Sequence, residues 1–346
     1  MKVHSKNVSR IYCNPLCESV PMQAKLIVLA AVFSVLTPLA IAQQSTSYPA
    51  KPLRLIVGYT PGGATDVLAR LTAQHLGGRL GQNVVVENRP GATGIIGLET
   101  VMRAPPDGYT LLFISSAEFI VLPAMRKSVP FDSVRDFTAL ALTASLPSTL
   151  VVHPDFPARR IQELVTYARA KPGSVRWGSS GIGGGLHLQG EYFWKSAAAQ
   201  AVHVPYKGGG DLVAAVLGRQ IEMIVIGVGT VAKQVLAGQL RALAVTSEVR
   251  ASALPAVPTL AESGFPEYRF SSWWGVVGPA GLPERISERL ANELNAAGQV
   301  PEYRSRIADM GGSGEPIVGK AFREYVVQDL ERVRKLVATL DIKLED

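Results

Sequence analysis

Short apolar runs alternate along the chain with segments whose apolar residues recur at helical spacing. Runs of this length, bounded by turn residues, are typical of buried strands. The predicted strands are Leu53–Val57, Asn83–Glu87, Thr110–Ile114, Leu150–His153, Ser174–Gly178, Ala201–Val204, Ile221–Ile226 and Arg241–Thr246. The predicted helices between them cover about 65–80, 94–103, 160–170, 186–197, 211–218 and 231–237. This alternation predicts an α/β fold with parallel or mixed sheets flanked by helices.

The first of these helices has the pattern of a helix that lies on a sheet. Its leucines Leu68, Leu71, Leu76 and Leu80 fall within one half of a helical wheel. A helix with one apolar stripe buries that stripe and leaves the opposite face in water. We therefore expect the leucine face to pack on the neighbouring strands.

The last third of the chain differs from the rest. After an apolar run at Trp273–Gly278, the pattern predicts helices only, over about 283–297, 301–309 and 319–340. A helical tail that follows a completed α/β unit most simply returns to the first domain. We therefore predict domain 1 over 49–148 plus 272–346 and domain 2 over 149–271. A ligand cleft is expected between them, at the carboxyl ends of the strands.

The N-terminus has the pattern of a secretory signal peptide, which we assign to residues 1–42. Basic residues precede an apolar run from Leu26 to Ala42, which is too short to span a membrane comfortably and ends in Ala40-Ile41-Ala42. Met22 would serve equally well as the start. A retained membrane anchor is the alternative interpretation.

Removal of this segment changes the composition of the mature chain. Cys13 and Cys17 both lie inside it, so no disulfide, thiol nucleophile or thiolate metal site is expected. The segment carries four basic residues and one acidic residue, so the net charge of +7 falls to about +4. Without a dense basic run, this charge does not indicate nucleic-acid binding. It mildly favours anionic ligands.

Four glycine-rich turns each follow a predicted strand and precede a helix. They are "PGGATD" at 61–66, "GATG" at 91–94, "GSSGIGGG" at 178–185 and "PYKGGG" at 205–210. The first-turn N–H groups of a helix lack partners inside it, and glycine lets a ligand approach them. Together the four turns predict a site lined by N–H groups and hydroxyls, which suits carboxylates.

Other kinds of site fit the sequence poorly. The first turn lacks both the Lys-Ser/Thr of a P-loop and the third glycine of a dinucleotide fingerprint. Ile182 stands where a G-x-S-x-G elbow needs glycine. His187 could act as a base for a serine, but a histidine in a first helical turn more commonly caps or packs. The histidines lack metal-ligand spacing. We expect a receptor without catalytic residues, metal or cofactor.

The chain resembles the extracytoplasmic solute-binding receptors of tripartite tricarboxylate transporters, often called the Bug family. The resemblance covers essentially all of the mature chain. It rests on "PGGATD", "GQNVVVENRPGATGIIG", "APPDGYTLLF", "VPYKGGG", "LRALAVTS", "LPAVPTLAESG" and "WWGVVGPAGLP", in this order. It implies a two-domain periplasmic binding-protein fold of type II that closes on a small carboxylate. It also implies location in the periplasm and delivery to membrane permease subunits. We expect a monomer.

The resemblance also implies a set of ligand-binding positions in four loops. These are Tyr59, Gly62, Gly63, Thr65, Asp66, Ser115, Ser116, Ser179, Ser180, Gly181, His187, Tyr206, Lys207, Gly208 and Gly209. In the family, backbone amides, hydroxyls and waters hold the carboxylates. Asp66 is expected to fix its loop as a cap, because two carboxylates would repel. The alternative interpretation of Tyr206 is that it packs between the domains. The alternative interpretation of Lys207 is that it is a solvated charge of the loop.

Three positions depart from the family pattern. Gly184 replaces a Ser or Thr, Ile226 replaces an Asp, and Leu122 replaces an Asn. These changes remove polar groups, so we expect a carboxylate with an apolar portion to bind better than aspartate, glutamate or citrate. Glu118 is evidence against this preference, since its carboxylate would suit a ligand amine if it faced the cleft. A receptor that presents its ligand-bound state to a sensor protein is the alternative to transport.

Overall fold

The computed structural model describes residues 48–126, 128–182 and 184–340. The predicted signal peptide and both cysteines therefore lie outside the described residues. Within the described chain, no helix combines the length and the apolar character needed to cross a membrane.

The predicted strands are present with small shifts at their ends. The strands are β1 (Leu53–Val57), β2 (Val84–Asn88), β3 (Thr110–Ser115), β4 (Phe137–Val152), β5 (Arg176–Ser179), β6 (Val202–Pro205), β7 (Met223–Gly227), β8 (Arg241–Val245), β9 (Ser271–Pro279) and β10 (Ile317–Val318). β4 is far longer than the predicted strand at 150–153, because its first part reads "FTALALTASLP" and carries polar residues among the apolar ones.

The helices also begin and end close to the predicted positions. They are α1 (Ala64–Leu80), α2 (Ile95–Met102), α3 (Leu122–Met125), α4 (Ile161–Ala170), α5 (Gly185–Ser196), α6 (Gly209–Leu217), α7 (Val228–Leu236), α8 (Glu284–Gly298), α9 (Pro301–Asp309) and α10 (Gly319–Thr339). A π-helical turn at Ala117–Val121 leads into α3. That turn, α3 and the strand β9 were not predicted from the sequence. The prediction of helices only after residue 278 was wrong at β10, which pairs with β4.

The strands form one mixed sheet in which β4 is shared. The order is β2-β1-β3-β9-β4-β7-β5-β6, with β10 and β8 also paired to β4. Residues 137–147 of β4 pair with β9, whereas residues 148–152 pair with β7 and β8. We call β1, β2, β3, β9, β10 and residues 137–147 the first sheet half. The second sheet half comprises residues 148–152 and β5 to β8.

Helices cover both faces of the first sheet half. On one face, α1 buries Leu68, Leu76 and Leu80 in a cluster that also contains Leu290 and Leu294 of α8. Neighbouring residues of a strand point to opposite faces. Accordingly, the neighbouring residues Trp273 and Trp274 of β9 lie on opposite faces of the sheet. Trp274 belongs to this cluster, and Trp273 belongs to another cluster beside α10. All described residues belong to one compact unit. The division into two domains at 149 and 271 remains a prediction.

Candidate binding site

The register of the sheet relates the carboxyl ends of β3 and β7, one from each half, to a short stretch of β4. Ser115, the last residue of β3, pairs with Trp274, which pairs with Ala144 of β4. Gly227, the last residue of β7, pairs with Ser148. Four residues along a strand span roughly 13 Å. β3 and β7 therefore run in opposite directions, and their carboxyl ends are level with positions of β4 that are four residues apart.

A buried aspartate holds the loop after β1. The Oδ2 of Asp66 accepts hydrogen bonds from the N–H of Gly62 at 3.0 Å and from Arg70. Its Oδ1 accepts one from the amide of Asn88 at 2.9 Å. Burial opposes ionisation, but the bonds from Arg70, Gly62 and Asn88 lower the pKa of Asp66 to about 2. Asp66 thus bonds to its own loop, in the arrangement expected of a loop-fixing residue.

The glycines of this loop face open space. Gly62 has a φ of +90°, which non-glycine residues rarely adopt, whereas Gly63 has an ordinary φ of −77°. A Cβ on either residue would meet no atom within 4 Å. Gly63 is the N-cap of α1, and no side chain caps the helix there. The hydroxyl of Thr65 accepts a hydrogen bond from the indole of Trp274 at 3.0 Å.

Tyr59, Ser115 and Glu118 form one hydrogen-bonded group under the first sheet half's loops. Glu118 lies in the π-helical turn and is 3% exposed. Its carboxylate accepts hydrogen bonds from the Tyr59 hydroxyl at 2.8 Å, the Ser115 N–H at 2.5 Å and the Ser115 hydroxyl. Burial raises the pKa of Glu118, and these bonds oppose the rise. The Ser116 hydroxyl accepts a hydrogen bond from the backbone N–H of Trp273 at 3.3 Å. Glu118 is therefore already bonded within the protein.

The turn at 91–94 lies against the same group. Ala92 and Thr93 have φ values of 47° and 54°, in the left-handed region that a β-branched residue rarely adopts. A Cβ on Gly94 would lie 3.2 Å from the Cβ of Glu118, and one on Gly58 would lie 2.8 Å from the Cα of Gly94. Small residues are therefore required where these turns meet.

Ser179 makes its contacts inside the second sheet half. It is fully buried, and its hydroxyl lies 2.8 Å from Nε2 of His203 and 3.1 Å from the carbonyl of Gly181. Ser179 was predicted from the sequence as a binding residue, but His203 was not. The only available signal was the position of His203 two residues before the "PYKGGG" turn. Ser180, in contrast, is exposed.

His187 and His203 stack beside Trp177. The ring centroids of the two histidines are 4.2 Å apart, and His203 is 4.4 Å from Trp177. Trp177 lies so close to Gly190 of α5 that a Cβ there would clash with it. His187 also pairs with Glu191 at 3.5 Å. Burial and the neighbouring His187 lower the pKa of His203 to about 4. His203 is thus neutral at physiological pH.

The loop after β6 is tied to the loop after β5. The N–H of Tyr206 donates to the carbonyl of Ser179 at 3.0 Å, and the Tyr206 ring is partly buried against a second-half core cluster. Lys207 is exposed. A Cβ on Gly208 would meet nothing within 4 Å, whereas one on Gly209 would approach Thr230 at 3.3 Å. Gly208 therefore opens outward, and Gly209 packs inward.

The three positions that depart from the family pattern have different surroundings. Gly184 is the N-cap of α5, and a Cβ there would meet only the carbonyl oxygen of Ser180 at 3.6 Å. Ile226 is 2% exposed and packs beneath Gly209, while Leu122 is 8% exposed. A side chain at position 184 would thus meet little resistance, whereas Ile226 and Leu122 are both buried. Across the described chain, no three His, Cys, Asp or Glu side chains group as metal ligands.

The sequence matches one family model and several curated proteins. The model of the tripartite tricarboxylate transporter family receptor, TctC, matches residues 68–342. Protein BugT of Bordetella pertussis is 32% identical over 322 residues, which cover 93% of this chain and 99% of BugT. A UPF0065 protein from the tcbD-tcbE intergenic region of Pseudomonas sp. strain P51 is 36% identical, over 86% of this chain and 88% of that protein.

Solved structures resemble the chain over most of its length. The periplasmic binding protein BugD is 30% identical, with a TM-score of 0.71, and the match covers 86% of this chain and all of BugD. R. palustris Rpa4515 with adipate is 28% identical, with a TM-score of 0.70, over 84% of this chain and 98% of that one. The α/β fold predicted from the sequence, that of a periplasmic binding protein, is thereby confirmed.

Proposed function

The chain belongs to the receptor family of tripartite tricarboxylate transporters, and we propose that it is a periplasmic receptor for a small carboxylate. In this proposal the ligand enters between the loops of the two sheet halves, which close on it as two domains. The loaded receptor then delivers the ligand to the permease subunits of its transporter. The protein acts as a monomer, and residues 1–42 are cleaved on export.

One observation carries the carboxylate proposal. Five described helices, α1, α2, α5, α6 and α7, begin at glycine N-caps, and none of the five has a side-chain cap. Of these, α1, α5 and α6 follow the loops that the resemblance assigns to the ligand, with Gly63, Gly184 and Gly208 as their N-caps. Glycine is a common N-cap, but unlike Ser, Thr, Asp or Asn it has no side-chain oxygen that could accept a hydrogen bond from a first-turn N–H. A Cβ on Gly63 or Gly208 would meet open space. The uncapped N–H groups and the helix dipoles therefore favour an anion supplied from outside.

The buried contacts of Ser179 support binding rather than catalysis. A serine beside a histidine can be a nucleophile only if the substrate reaches its oxygen. Ser179 has no exposed surface, and its hydroxyl contacts both His203 and the carbonyl of Gly181. In this proposal, Ser179 shapes the loop and the exposed groups beside it meet the ligand. The protein is not an enzyme.

The ligand is proposed to carry an apolar portion. Glu118 is buried and accepts three hydrogen bonds from Tyr59 and Ser115, so it is not a partner for a ligand amine. The adipate in the related R. palustris structure is a carboxylate with an apolar middle and no amine. Calorimetric titration of ligand-free protein with adipate, benzoate, citrate, aspartate and glutamate tests this preference. Tighter binding of an amino acid or citrate than of either apolar acid would contradict it.

The substitution Gly63→Val tests the anion site itself. We expect at least about a hundredfold loss of affinity, because the new side chain occupies the space in front of the first-turn N–H groups. The φ of Gly63 suits valine, so the variant should fold. Gly78→Val is the matched control, since Gly78 lies in the same helix and also faces open space. Equal affinities in the two variants, with native circular dichroism, would contradict the proposal.

A further inference from the structure

A separate cavity of about 820 Å³ lies beside the crossing strands. Its floor includes Ser145 of β4 and Ser271 of β9, close to where Pro147 pairs with Ser271. The loop at 247–252 and the helix α10 form its walls. None of the residues proposed to bind the transported carboxylate lines this cavity. Its volume is within the range of small-molecule sites, roughly 300–1,000 Å³.

Three arginines line the cavity, and the bonds to their acidic partners do not use all the N–H donors of the three guanidinium groups. Arg250 bonds to Glu262, Arg269 to Glu248, and Arg332 to Asp329. Each guanidinium has five N–H donors, so one carboxylate partner does not use them all. The Arg269–Glu248 pair is exposed, at 59% and 68% of the two side chains. Exposed pairs of this kind contribute little energy, so Arg269 is free to bond to another anion.

The remaining lining groups include hydroxyls, the exposed carboxylate of Glu248 and the amide of Gln328. The hydroxyl of Tyr325 makes no hydrogen bond to another described residue, and neither do those of Ser145 and Ser271. Burial raises the pKa of Tyr325 to about 12, so it remains a donor at neutral pH. The buried carboxylate of Asp329 already accepts from Arg332 and from the indole of Trp273. An acceptor-rich ligand could accept hydrogen bonds from these hydroxyls and from the remaining guanidinium N–H groups.

We propose that this cavity is a second ligand site, distinct from the glycine loops, which binds a small acid carrying carboxylate or phosphate oxygens. Arg250 and Arg269 bind its charge, and the Tyr325 hydroxyl donates to it from α10. Residues of β4 and β9 form the cavity floor, and β4 continues from there into the second sheet half, so an anion in the site would lie beside the strand that the two halves share.

Calorimetric titration with inorganic phosphate and with citrate, at constant ionic strength, tests the proposal. We expect wild-type protein to bind at least one of them, and the Arg250→Gln/Arg269→Gln variant to bind it about tenfold more weakly or worse. Tyr325→Phe should weaken it by a few fold. The control Arg285→Gln/Arg323→Gln carries the same charge change on exposed arginines outside the cavity and should match wild type.

The glycine-loop variant separates this site from the proposed transport site. In Gly63→Val, binding of the cavity probe should persist, and the Arg250→Gln/Arg269→Gln changes should still weaken it. The proposal of a second site is wrong if neither probe binds wild-type protein at millimolar concentration. It is also wrong if the cavity variant and the control variant bind the probe with equal affinity. Complete loss of probe binding in Gly63→Val would also overturn it. None of these results decides whether a carboxylate binds at the glycine loops.

Discussion

The loops of the two sheet halves share glycines but rest on different chemistry. In the first half, the carboxylates of Asp66 and Glu118 lie behind the loops and accept hydrogen bonds from them. In the second half, the neutral imidazole of His203 lies behind Ser179. Both arrangements fix a loop without capping its helix with a side chain.

This difference determines which donors remain for a ligand. The first-half carboxylates engage the Gly62 N–H, the Tyr59 hydroxyl and both donors of Ser115. The first-turn N–H groups that follow Gly63 remain available. In the second half, the imidazole of His203 is neutral at physiological pH, and the nearby carboxylate of Glu191 lies 3.5 Å from His187. The comparison indicates that buried carboxylates fix the first-half loops, whereas a neutral group fixes the loop of Ser179.

The largest effect expected from this comparison is a loss of stability in Asp66→Ala. The change removes the acceptor of the Gly62 N–H and leaves the Asn88 amide with only the Tyr59 carbonyl as its acceptor, so we expect a loss of about 2 kcal/mol at neutral pH. Urea denaturation measures it. Asp211→Ala is the control, because Asp211 is an exposed first-turn aspartate of α6. Equal losses in the two variants would show that Asp66 acts only through the helix dipole.

A smaller effect, in the pH dependence of stability, is expected from His203. Its pKa falls from 6.5 to about 4 on folding, so between these values the unfolded chain binds a proton that the folded chain does not. Stability should therefore fall as the pH is lowered through this window, by less than about 1.4 kcal/mol per pH unit. His203→Phe should flatten the slope, which denaturation at several pH values would reveal. An unchanged slope would contradict the assigned neutral state.

The smallest effect is expected from Lys207→Ala. Lys207 is exposed, so its charge is screened and we expect a loss of ligand affinity of only about threefold. Lys233→Ala, an exposed lysine in the last turn of α7, controls for net charge. Calorimetry with the best-binding acid compares the two. Complete loss of binding in the Lys207 variant would make a side-chain cation, rather than backbone N–H groups, the main anchor.

Local patterns in the sequence were sufficient to locate the glycine loops. Strand, glycine and helix follow one another within a few residues there, so the position of the loop after β1 was predictable. The group of Tyr59, Ser115 and Glu118 was not, because it depends on the pairing of β1 with β3. His203 was missed for a similar reason. Its contact with Ser179 arises only when β5 and β6 lie side by side.

The extent of β4 also required the three-dimensional pairing. Its sixteen residues include polar positions and Pro147, which weaken any strand pattern. The strand is nevertheless continuous because β9 pairs along residues 137–147 and β7 and β8 pair along the rest. Tertiary pairing thus overrides local preference at the segment that joins the two halves.

Amide NMR of ¹⁵N-labelled protein tests the central claim most directly, that backbone N–H groups at uncapped helix ends hold the carboxylate. On titration with the best-binding acid, the largest amide shifts should occur at Ala64 and Thr65 after the Gly63 cap, and at Gly185 and Gly209 after the caps of α5 and α6. Such shifts report new hydrogen bonds to the N–H groups. Saturation with these four amides unmoved, and shifts confined to side-chain signals elsewhere, would contradict the account.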